Sequence, residues 1–262
     1  MLWSSPSETL LLYAMLEGID LSDYRILIVT FLILFLIVFM RYLFLSGAYH
    51  WLFFVQFREK FKKRMLFQQR LKGKQTRREL ILSLYSALIF SATGLGLLLL
   101  WQNGLTQIYT DLGDYPLWYL PLSIVLFLIL HDTYYYWLHK WMHASRWLRP
   151  YHMEHHKSVD TSVFTSFSFH PVESFLQAII VPVLVMLVPM HPIALLTTLL
   201  IMTLSAIINH GGVEIYPTTK KNAKGLDHFI IGATHHDSHH RNAKKNFGLY
   251  FTFWDRLMKT EK

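Results

Sequence analysis

The feature that most limits how this chain can fold is its series of long apolar segments. A helix needs about 20 residues to cross a bilayer. Three segments of at least that length cover residues 26–45, 79–101 and 116–139. A fourth, residues 172–209, is interrupted at Pro189 and Pro192, which predicts a hairpin of two shorter helices. We therefore expect an all-α integral membrane protein with about four to five transmembrane helices.

Charge along the chain predicts how these helices are oriented. Residues 58–78 contain ten Lys or Arg and one acidic residue, whereas residues 102–115 contain Asp111, Asp114 and no basic residue. The positive-inside rule places the first stretch in the cytoplasm and the second outside. Contact with anionic lipid headgroups explains the basic stretch more simply than nucleic acid does, so we expect no nucleic-acid partner. Arg41, the charged residue within 26–45, is expected to snorkel to the interface.

Histidines occur in three closely spaced groups. Imidazoles three or four residues apart lie on one face of a helix, where they can converge on one point. The groups are His139 and His143; His152, His155 and His156; and His236, His239 and His240. In the predicted topology all three emerge at the cytoplasmic face. A chance scatter of surface and core histidines is the alternative, but the repeated spacing argues against it.

The number of imidazoles decides how many metal ions to expect. The three groups hold eight, and His210 and His235 would bring the total to ten. One transition metal takes roughly four to six donors, so two ions fit better than one. The chain has no cysteine, which excludes thiolate ligands. For His235, ligation and simple hydrogen bonding are equally plausible, and the spacing leaves the metal open among iron, zinc, copper and nickel.

Two acidic residues near the histidines are candidates for orienting them. Asp132 lies about two turns before His139, roughly 10 Å away, so we expect it to orient a ligand from a neighbouring segment. A hydrogen bond to Tyr135 or Tyr136 is an equally good interpretation. Glu173 could help to orient the site or could be an exposed acid at a helix start. Four further histidines are expected to be structural: His50, His170, His191 and His228.

These histidine motifs resemble those of the sterol desaturase and fatty acid hydroxylase superfamily of membrane non-haem di-iron enzymes. The match is carried by the motifs H-x3-H at 139–143, H-x2-H-H at 152–156 and H-H-D-S-H-H at 235–240, and by the tail N-F-G-L-Y-F-T-F-W-D-R-L at 246–257. The motifs H-P-V-E at 170–173 and N-H at 209–210 fall where relatives often have similar ones. The resemblance covers about half of the chain.

The resemblance implies a function, a cofactor and partners. It implies two iron ions held by histidines, molecular oxygen as co-substrate, and a sterol, fatty acyl or related lipid that is hydroxylated or desaturated. Electrons would come from a separate donor, of the cytochrome b type or a ferredoxin with an NAD(P)H reductase. Residues 1–78 would form an N-terminal anchor and basic cytoplasmic loop, and residues 79–262 the catalytic domain. Residues 163–169, with Phe164, Phe167 and Phe169, would line the substrate path.

Three other functions are weighed against this one. A zinc transporter would place its ligands near the middle of the bilayer, whereas these groups follow the inner ends of the spans. A haem protein would need facing pairs of histidines rather than adjacent triplets. An inactive lipid-binding scaffold of the same fold would not need a full ligand set. The compact length and the missing retention signal favour a bacterial inner membrane over the endoplasmic reticulum.

Overall fold

The computed structural model describes residues 20–67, 73–217 and 225–262. These residues form helices joined by turns and contain no strand, which confirms the all-α fold. The α-helices are α1 (Tyr24–His50), α2 (Arg58–Phe61), α3 (Gly73–Gln102), α4 (Tyr119–Ala144), α5 (Arg149–His156), α6 (Pro171–Ala178), α7 (Ile180–Leu187), α8 (Pro192–His210), α9 (Ala233–Arg241) and α10 (Phe253–Leu257). A π-helical turn (Trp51–Gln56) extends α1, and 3-10 turns cover Lys62–Arg64, Val163–Phe167 and Leu226–His228.

Three helical segments in the described residues are long and apolar enough to cross a membrane. They are Tyr24–Gln56, Gly73–Gln102 and Pro192–His210, and a shorter apolar segment is Pro171–Leu187. The predicted span at 116–139 forms helix α4 but is not among the three. Its C-terminal half carries the polar side chains of His131, Asp132 and His139, which interrupt its apolar run. The structure therefore supports an integral membrane protein. Helix α4 is its long segment with polar residues, and the first arm of the hairpin is its shorter apolar segment.

The predicted hairpin is present, with an additional break in its first arm. The chain leaves helical structure between α7 and α8, at the two prolines of the interruption. The first arm also breaks at Ile179, between α6 and α7. Pro182 explains that break, because it has no amide hydrogen for the carbonyl one turn earlier. His170 and His191 cap α6 and α8, since each Nδ1 accepts a hydrogen bond from a backbone amide 3.2 Å away.

Helix α1 is packed against the rest of the molecule along its inner half. The Tyr42 hydroxyl donates to the Phe164 carbonyl at 3.0 Å and accepts from Ser83 of α3 at 3.0 Å. The Tyr42 ring also stacks on Phe167 with ring centroids 4.8 Å apart. Nearer the C-terminal end of α1, the Tyr49 hydroxyl donates to the Val213 carbonyl at 3.1 Å. The C-terminal half of the first span therefore packs against the rest of the molecule, and its role as an anchor stays a prediction.

A buried carboxylate fixes the segment that joins α5 to α6. Glu79 of α3 is fully buried and accepts hydrogen bonds from Ser158, Ser162 and Thr165 at 2.6–2.8 Å. Charge-assisted hydrogen bonds of this kind are stronger than neutral ones. This segment leads from α5, which carries His152, His155 and His156, to α6. Glu79 therefore fixes the framework that positions these three histidines.

Candidate metal centre

Nine imidazoles from four helices meet in two groups at the C-terminal ends of α4 and α8. Helix α4 supplies two of them, α5 three, α8 one and α9 three. In each group, one ring nitrogen of every member lies within 4.8 Å of the corresponding nitrogens of the others. The first group is His139, His143, His152, His156 and His239, and the second is His155, His210, His236 and His240. The histidine count predicted two metal ions; the structure brings nine histidines into two clusters, and the binding of metal there stays a prediction.

The first group has a closed ring of Nε2 atoms. Around this ring, His152 to His143 and His156 to His152 are each 3.0 Å, and His143 to His239 and His239 to His156 are each 3.1 Å. The Nε2 of His139 lies 3.0 Å from that of His152. Donors at right angles around an ion with bonds of about 2.1 Å are about 3.0 Å apart, whereas tetrahedral donors are about 3.4 Å apart. Five donors at this spacing fit one ion with more than four ligands.

The second group has fewer donors and less internal contact. The Nε2 of His210 lies 3.1 Å from that of His155 and 3.0 Å from that of His236. Both ring nitrogens of His240 are buried without a hydrogen-bond partner, as is Nδ1 of His236. Buried imidazole nitrogens need a partner. Ligation of a metal by His240 would provide one.

The Nδ1 atoms show that the converging Nε2 atoms carry lone pairs. Backbone carbonyls accept from Nδ1 in four of the rings: His139 to Phe247 (2.9 Å), His155 to Ser168 (3.2 Å), His210 to Ala206 (2.7 Å) and His239 to Lys245 (2.6 Å). A carbonyl cannot donate, so in these neutral rings Nδ1 holds the hydrogen and Nε2 is free to coordinate. His155 and His210 then direct two lone pairs at each other, which only a cation between them would stabilise. The residues present therefore fit a metal pair.

Burial keeps the imidazoles outside the apolar spans in the neutral form that ligation requires. For His239, desolvation lowers the pKa to about 4. Desolvation lowers the pKa well below its usual range for His152, His155, His236 and His240. At neutral pH these rings are uncharged, and an uncharged imidazole is the form that binds metals.

The two acidic candidates have different positions. Glu173 of α6 is buried, and its Oε1 accepts from Nδ1 of His152 at 2.7 Å, so it orients a histidine of the first group. Asp132 contacts neither a candidate ligand nor Tyr135 or Tyr136 through the hydrogen bonds of the described residues. Its Oδ1 accepts from the backbone amides of Leu249 and Tyr250 at 3.1 and 2.8 Å. Asp132 fixes the loop whose carbonyls accept from His139 and His239, and an indirect role in the site stays a prediction.

His235 is the predicted ligand that the structure leaves outside both groups. Its Nε2 lies 3.7 Å from Oδ2 of Asp255, on the side of α9 away from the other imidazoles. The helical period explains this position, because His235 precedes His236 by one residue and therefore points about 100° away from it. A role for His235 as a ligand stays a prediction. The carboxylate of Asp255 is the ion-pair partner of its ring in this structure.

The C-terminal loop positions two ligands of the first group, and its supporting residues were missed by the sequence analysis. Asp255 accepts from the amides of Phe247 and Gly248 at 2.8 and 2.9 Å. Asn209 Nδ2 donates to the Leu249 carbonyl at 2.9 Å. The carbonyls of Lys245 and Phe247 accept hydrogen bonds from His239 and His139. The C-terminal loop therefore orients two histidines of the first group. The motif at 246–257 was the available signal, but it does not reveal which residues would contact the histidines.

Glu214 fixes the start of α9, the helix that contributes to both groups. Its carboxylate accepts from the backbone amides of Thr234 and Tyr216 at 2.9 and 3.1 Å. A carboxylate is favoured at a helix N-terminus, where backbone amides lack partners. Gly232 permits this contact, because a Cβ there would lie 2.7 Å from Oε1 of Glu214. The sequence analysis did not identify Glu214, because no local pattern indicates that it contacts the start of α9, 20 residues further along the chain.

An apolar cavity of about 250 Å³ extends from the membrane-spanning helices to the second group. Helices α1, α3, α4, α7 and α8 contribute its walls, and His210 is one of its lining residues. Phe167 and Phe169 line it as expected, but Phe164 does not. Arg41, expected to snorkel to the interface, also lines this cavity.

Known proteins resemble this chain over its second half and beyond. The fatty acid hydroxylase family model matches residues 124–260. Lathosterol oxidase of Homo sapiens is 31% identical over 185 residues, covering 70% of this chain and 60% of that protein. For lathosterol oxidase of Mus musculus the identity is 32% with the same coverage. Delta(7)-sterol 5(6)-desaturase ERG3 of Saccharomyces cerevisiae is 29% identical over 157 residues, 59% of this chain and 40% of that protein.

No solved structure matches the chain. The chain spans about 60% of the length of the lathosterol oxidases that it matches. The family match covers all nine grouped histidines, the orienting carboxylate of Glu173 and the C-terminal loop. On this evidence the chain belongs to the fatty acid hydroxylase family, within the sterol desaturase and fatty acid hydroxylase superfamily.

Proposed function

We propose that this protein is a membrane-bound non-haem di-iron oxidoreductase that hydroxylates or desaturates a sterol, fatty acyl or related lipid with molecular oxygen. The observation that carries the proposal is the position of His210. This residue belongs to the second imidazole group and also lines the apolar cavity between the membrane-spanning helices. A lipid chain or ring within that cavity would lie beside the metal group. An unactivated C–H bond would therefore be brought to an oxidising site.

Two bound irons would supply the redox chemistry that imidazoles and carboxylates alone cannot perform. Hydroxylation would consume one oxygen molecule, two electrons and two protons, and would give an alcohol and one water. Desaturation would consume the same reactants and give a carbon–carbon double bond and two waters. The electrons in either reaction require a donor, which we propose is a separate cytochrome b or ferredoxin system with an NAD(P)H reductase.

The residues of the chain would hold the donors and keep water away. Five of the nine imidazoles donate from Nδ1 to a backbone carbonyl or to the Glu173 carboxylate at 2.6–3.2 Å, and these partners hold the rings in place. Phe169 packs on His155 with ring centroids 4.8 Å apart. Aromatic and aliphatic side chains therefore shield the second group on its cavity side. Exclusion of water strengthens the electrostatic interactions in such a site.

We propose that the metal groups face the cytoplasm, as the positive-inside rule indicates for the basic stretch at 58–78. The animal and fungal relatives named above give no support to the bacterial inner membrane that the sequence alone favoured. The division between residues 1–78 and 79–262 stays a prediction. Because α1 lines the cavity, we propose that it works together with the catalytic segment.

The test is a comparison of lipids from aerated cells that express the wild type, His155→Ala or His228→Ala. His155 belongs to the second group, and His228 lies outside both groups and serves as the matched control. We expect a lipid that gains one oxygen or loses two hydrogens with the wild type and with His228→Ala, but not with His155→Ala. Mass spectrometry distinguishes the two products. Equal amounts of that product with His155→Ala would contradict the proposed function.

A further inference from the structure

Arg41 is a charged residue in the membrane-spanning part of α1, and its side chain lines the apolar cavity. A charge within a membrane span is costly and is retained where it has a partner or a function. The sequence predicted that this side chain would reach the interface. In the structure it instead lines the same cavity as His210 of the second imidazole group.

Arg41 has no partner in the part of the chain that the structure describes. Its Nε is buried without a hydrogen-bond acceptor. The cavity lining contains no Asp or Glu, so no carboxylate in that lining balances the guanidinium charge. Arg41 is half-buried, and a charge that is partly removed from water without a partner is costly. A ligand that balances Arg41 would remove this cost.

Several other polar groups of the cavity lining differ from Arg41, because they bond within the protein. The Tyr250 hydroxyl and Nδ1 of His131 are 3.2 Å apart. The Thr203 hydroxyl donates to the Leu199 carbonyl at 2.9 Å. These groups have partners without a ligand. Arg41 is therefore the side chain of the cavity lining in which a permanent charge has no such partner among the described residues.

The chemistry of the guanidinium defines what the ligand must present. A guanidinium offers five N–H donors and no acceptor, so the ligand must contribute an acceptor oxygen. The remaining lining is mostly apolar and includes Leu34, Leu97 and Met202, so the body of the ligand must be hydrocarbon. A sterol hydroxyl and a fatty acid carboxylate both meet these conditions.

We propose that Arg41 binds the oxygen-bearing polar group of the lipid substrate and thereby determines which carbon lies beside His210. The inference rests on the proposed function only in naming the occupant as the substrate. Binding at one end and oxidation at the other explain why a cationic side chain is kept in an apolar cavity. Substrates that differ in the distance between polar group and reacting carbon would then be oxidised at different positions.

The test measures lipid binding without turnover, so it does not depend on the metal or on a donor. Tritiated lathosterol, tritiated stearate and the hydrocarbon 5α-cholestane are each titrated against purified full-length protein in detergent. The variants are Arg41→Met, which keeps much of the apolar stem, Arg41→Lys, which keeps the charge, and Arg25→Met. Arg25 is an exposed residue at the outer end of the same helix and provides the matched control. Size-exclusion profiles and thermal midpoints establish that every variant is folded.

We expect Arg41→Met to weaken the binding of lathosterol, stearate or both by about tenfold or more, as loss of a charge-assisted hydrogen bond predicts. The lipid that responds identifies the polar group as a hydroxyl or a carboxylate. Arg41→Lys retains part of the affinity, Arg25→Met binds as the wild type, and cholestane binds equally to all. The proposal is overturned if Arg41→Met binds both lipids as the wild type does, or if the wild type binds neither. Selective binding without an oxidised product would contradict the proposed function but not the role of Arg41.

Discussion

The two imidazole groups differ in how firmly they are held and in what they face. In the first group, three of five rings are oriented through Nδ1, by Glu173 and by the carbonyls of Phe247 and Lys245. In the second, two of four rings have such a partner, and the cavity reaches the group at His210. The difference indicates unequal roles for the two groups. The first group is the more saturated and preorganised site, and the second lies nearer to the lipid.

This asymmetry follows from where the partners come from along the chain. The first group is held by α6 and by the C-terminal loop, which the buried carboxylates of Asp132 and Asp255 fix in turn. The second is held by the backbone of the α5–α6 segment and of α8 itself. The carbonyl within α8 needs no distant support, and the α5–α6 segment is fixed by Glu79 of α3 and not by the C-terminal loop. Damage to the C-terminal loop should therefore affect the first group before the second.

The largest effect should come from removing one ligand from each group. We expect His239→Ala and His155→Ala each to lower product formation by at least about 100-fold. Removal of a residue that only orients a ligand by a hydrogen bond lowers metal affinity or activity by about 10–100-fold. The metal content should separate the two variants. His239→Ala should lose metal from the first group, and His155→Ala should lose it from the second group more readily because that group has fewer donors.

Metal per protein is measured by elemental mass spectrometry after purification and exposure to a weak chelator. His235→Ala is the control, because His235 lies outside both groups. It should keep two metals per chain and most of the activity. Full activity in His239→Ala would refute the assignment of the first group, and a large metal loss in His235→Ala would restore His235 as a ligand.

A smaller effect should follow from removing the carboxylate that distinguishes the first group. Glu173→Ala leaves Nδ1 of His152 without its acceptor, and loss of such a partner lowers metal affinity by about 10–100-fold. Glu173→Gln keeps an acceptor oxygen and should lose less. Glu154→Ala is the control, since Glu154 pairs with Lys157 at the surface of α5. Competition with a chelator of known affinity measures the change, and equal affinity in Glu173→Ala and the wild type would show that the two groups do not differ in this way.

Local periodicity explains how much of the site the sequence could predict. The i, i+3 and i+4 spacing places His152, His155 and His156 on one helix, and the structure confirms α5 there. The same argument holds for α4 and α9. His210 was identified because an imidazole at the inner end of a span needs a partner. His235 shows the limit, because adjacent residues on a helix point in different directions.

The orienting residues could not be predicted in the same way, because their contacts join distant parts of the chain. Asp132 and Leu249 are 117 residues apart, and His152 and Glu173 are 21 apart. No local pattern indicates which backbone amide a carboxylate will meet. Arg41 was misplaced for a related reason. Its position in an apolar run indicated the cost of its charge, but only the packing of α1 against α3 and α8 shows that a cavity lies beside it.

The smallest effect should come from a methyl group placed beside α9, the helix common to both groups. A Cβ at position 232 would lie 2.7 Å from Oε1 of Glu214 and 2.9 Å from Cδ2 of Tyr216. Glu214 cannot move away without losing its bonds to the amides of Thr234 and Tyr216. We therefore expect Gly232→Ala to destabilise the protein by about 1–3 kcal/mol, as overpacking generally does.

Gly47→Ala provides the matched control for this substitution. No atom lies within 4 Å of a Cβ placed at position 47 in α1, so alanine should be neutral or stabilise the helix by up to about 1 kcal/mol. Thermal midpoints in detergent compare the two variants. Because α9 carries His239 of the first group and His236 and His240 of the second, Gly232→Ala should weaken metal binding at both groups together. Loss confined to one group would mean that the groups are supported separately, and an unchanged midpoint would show that Glu214 does not fix the start of α9.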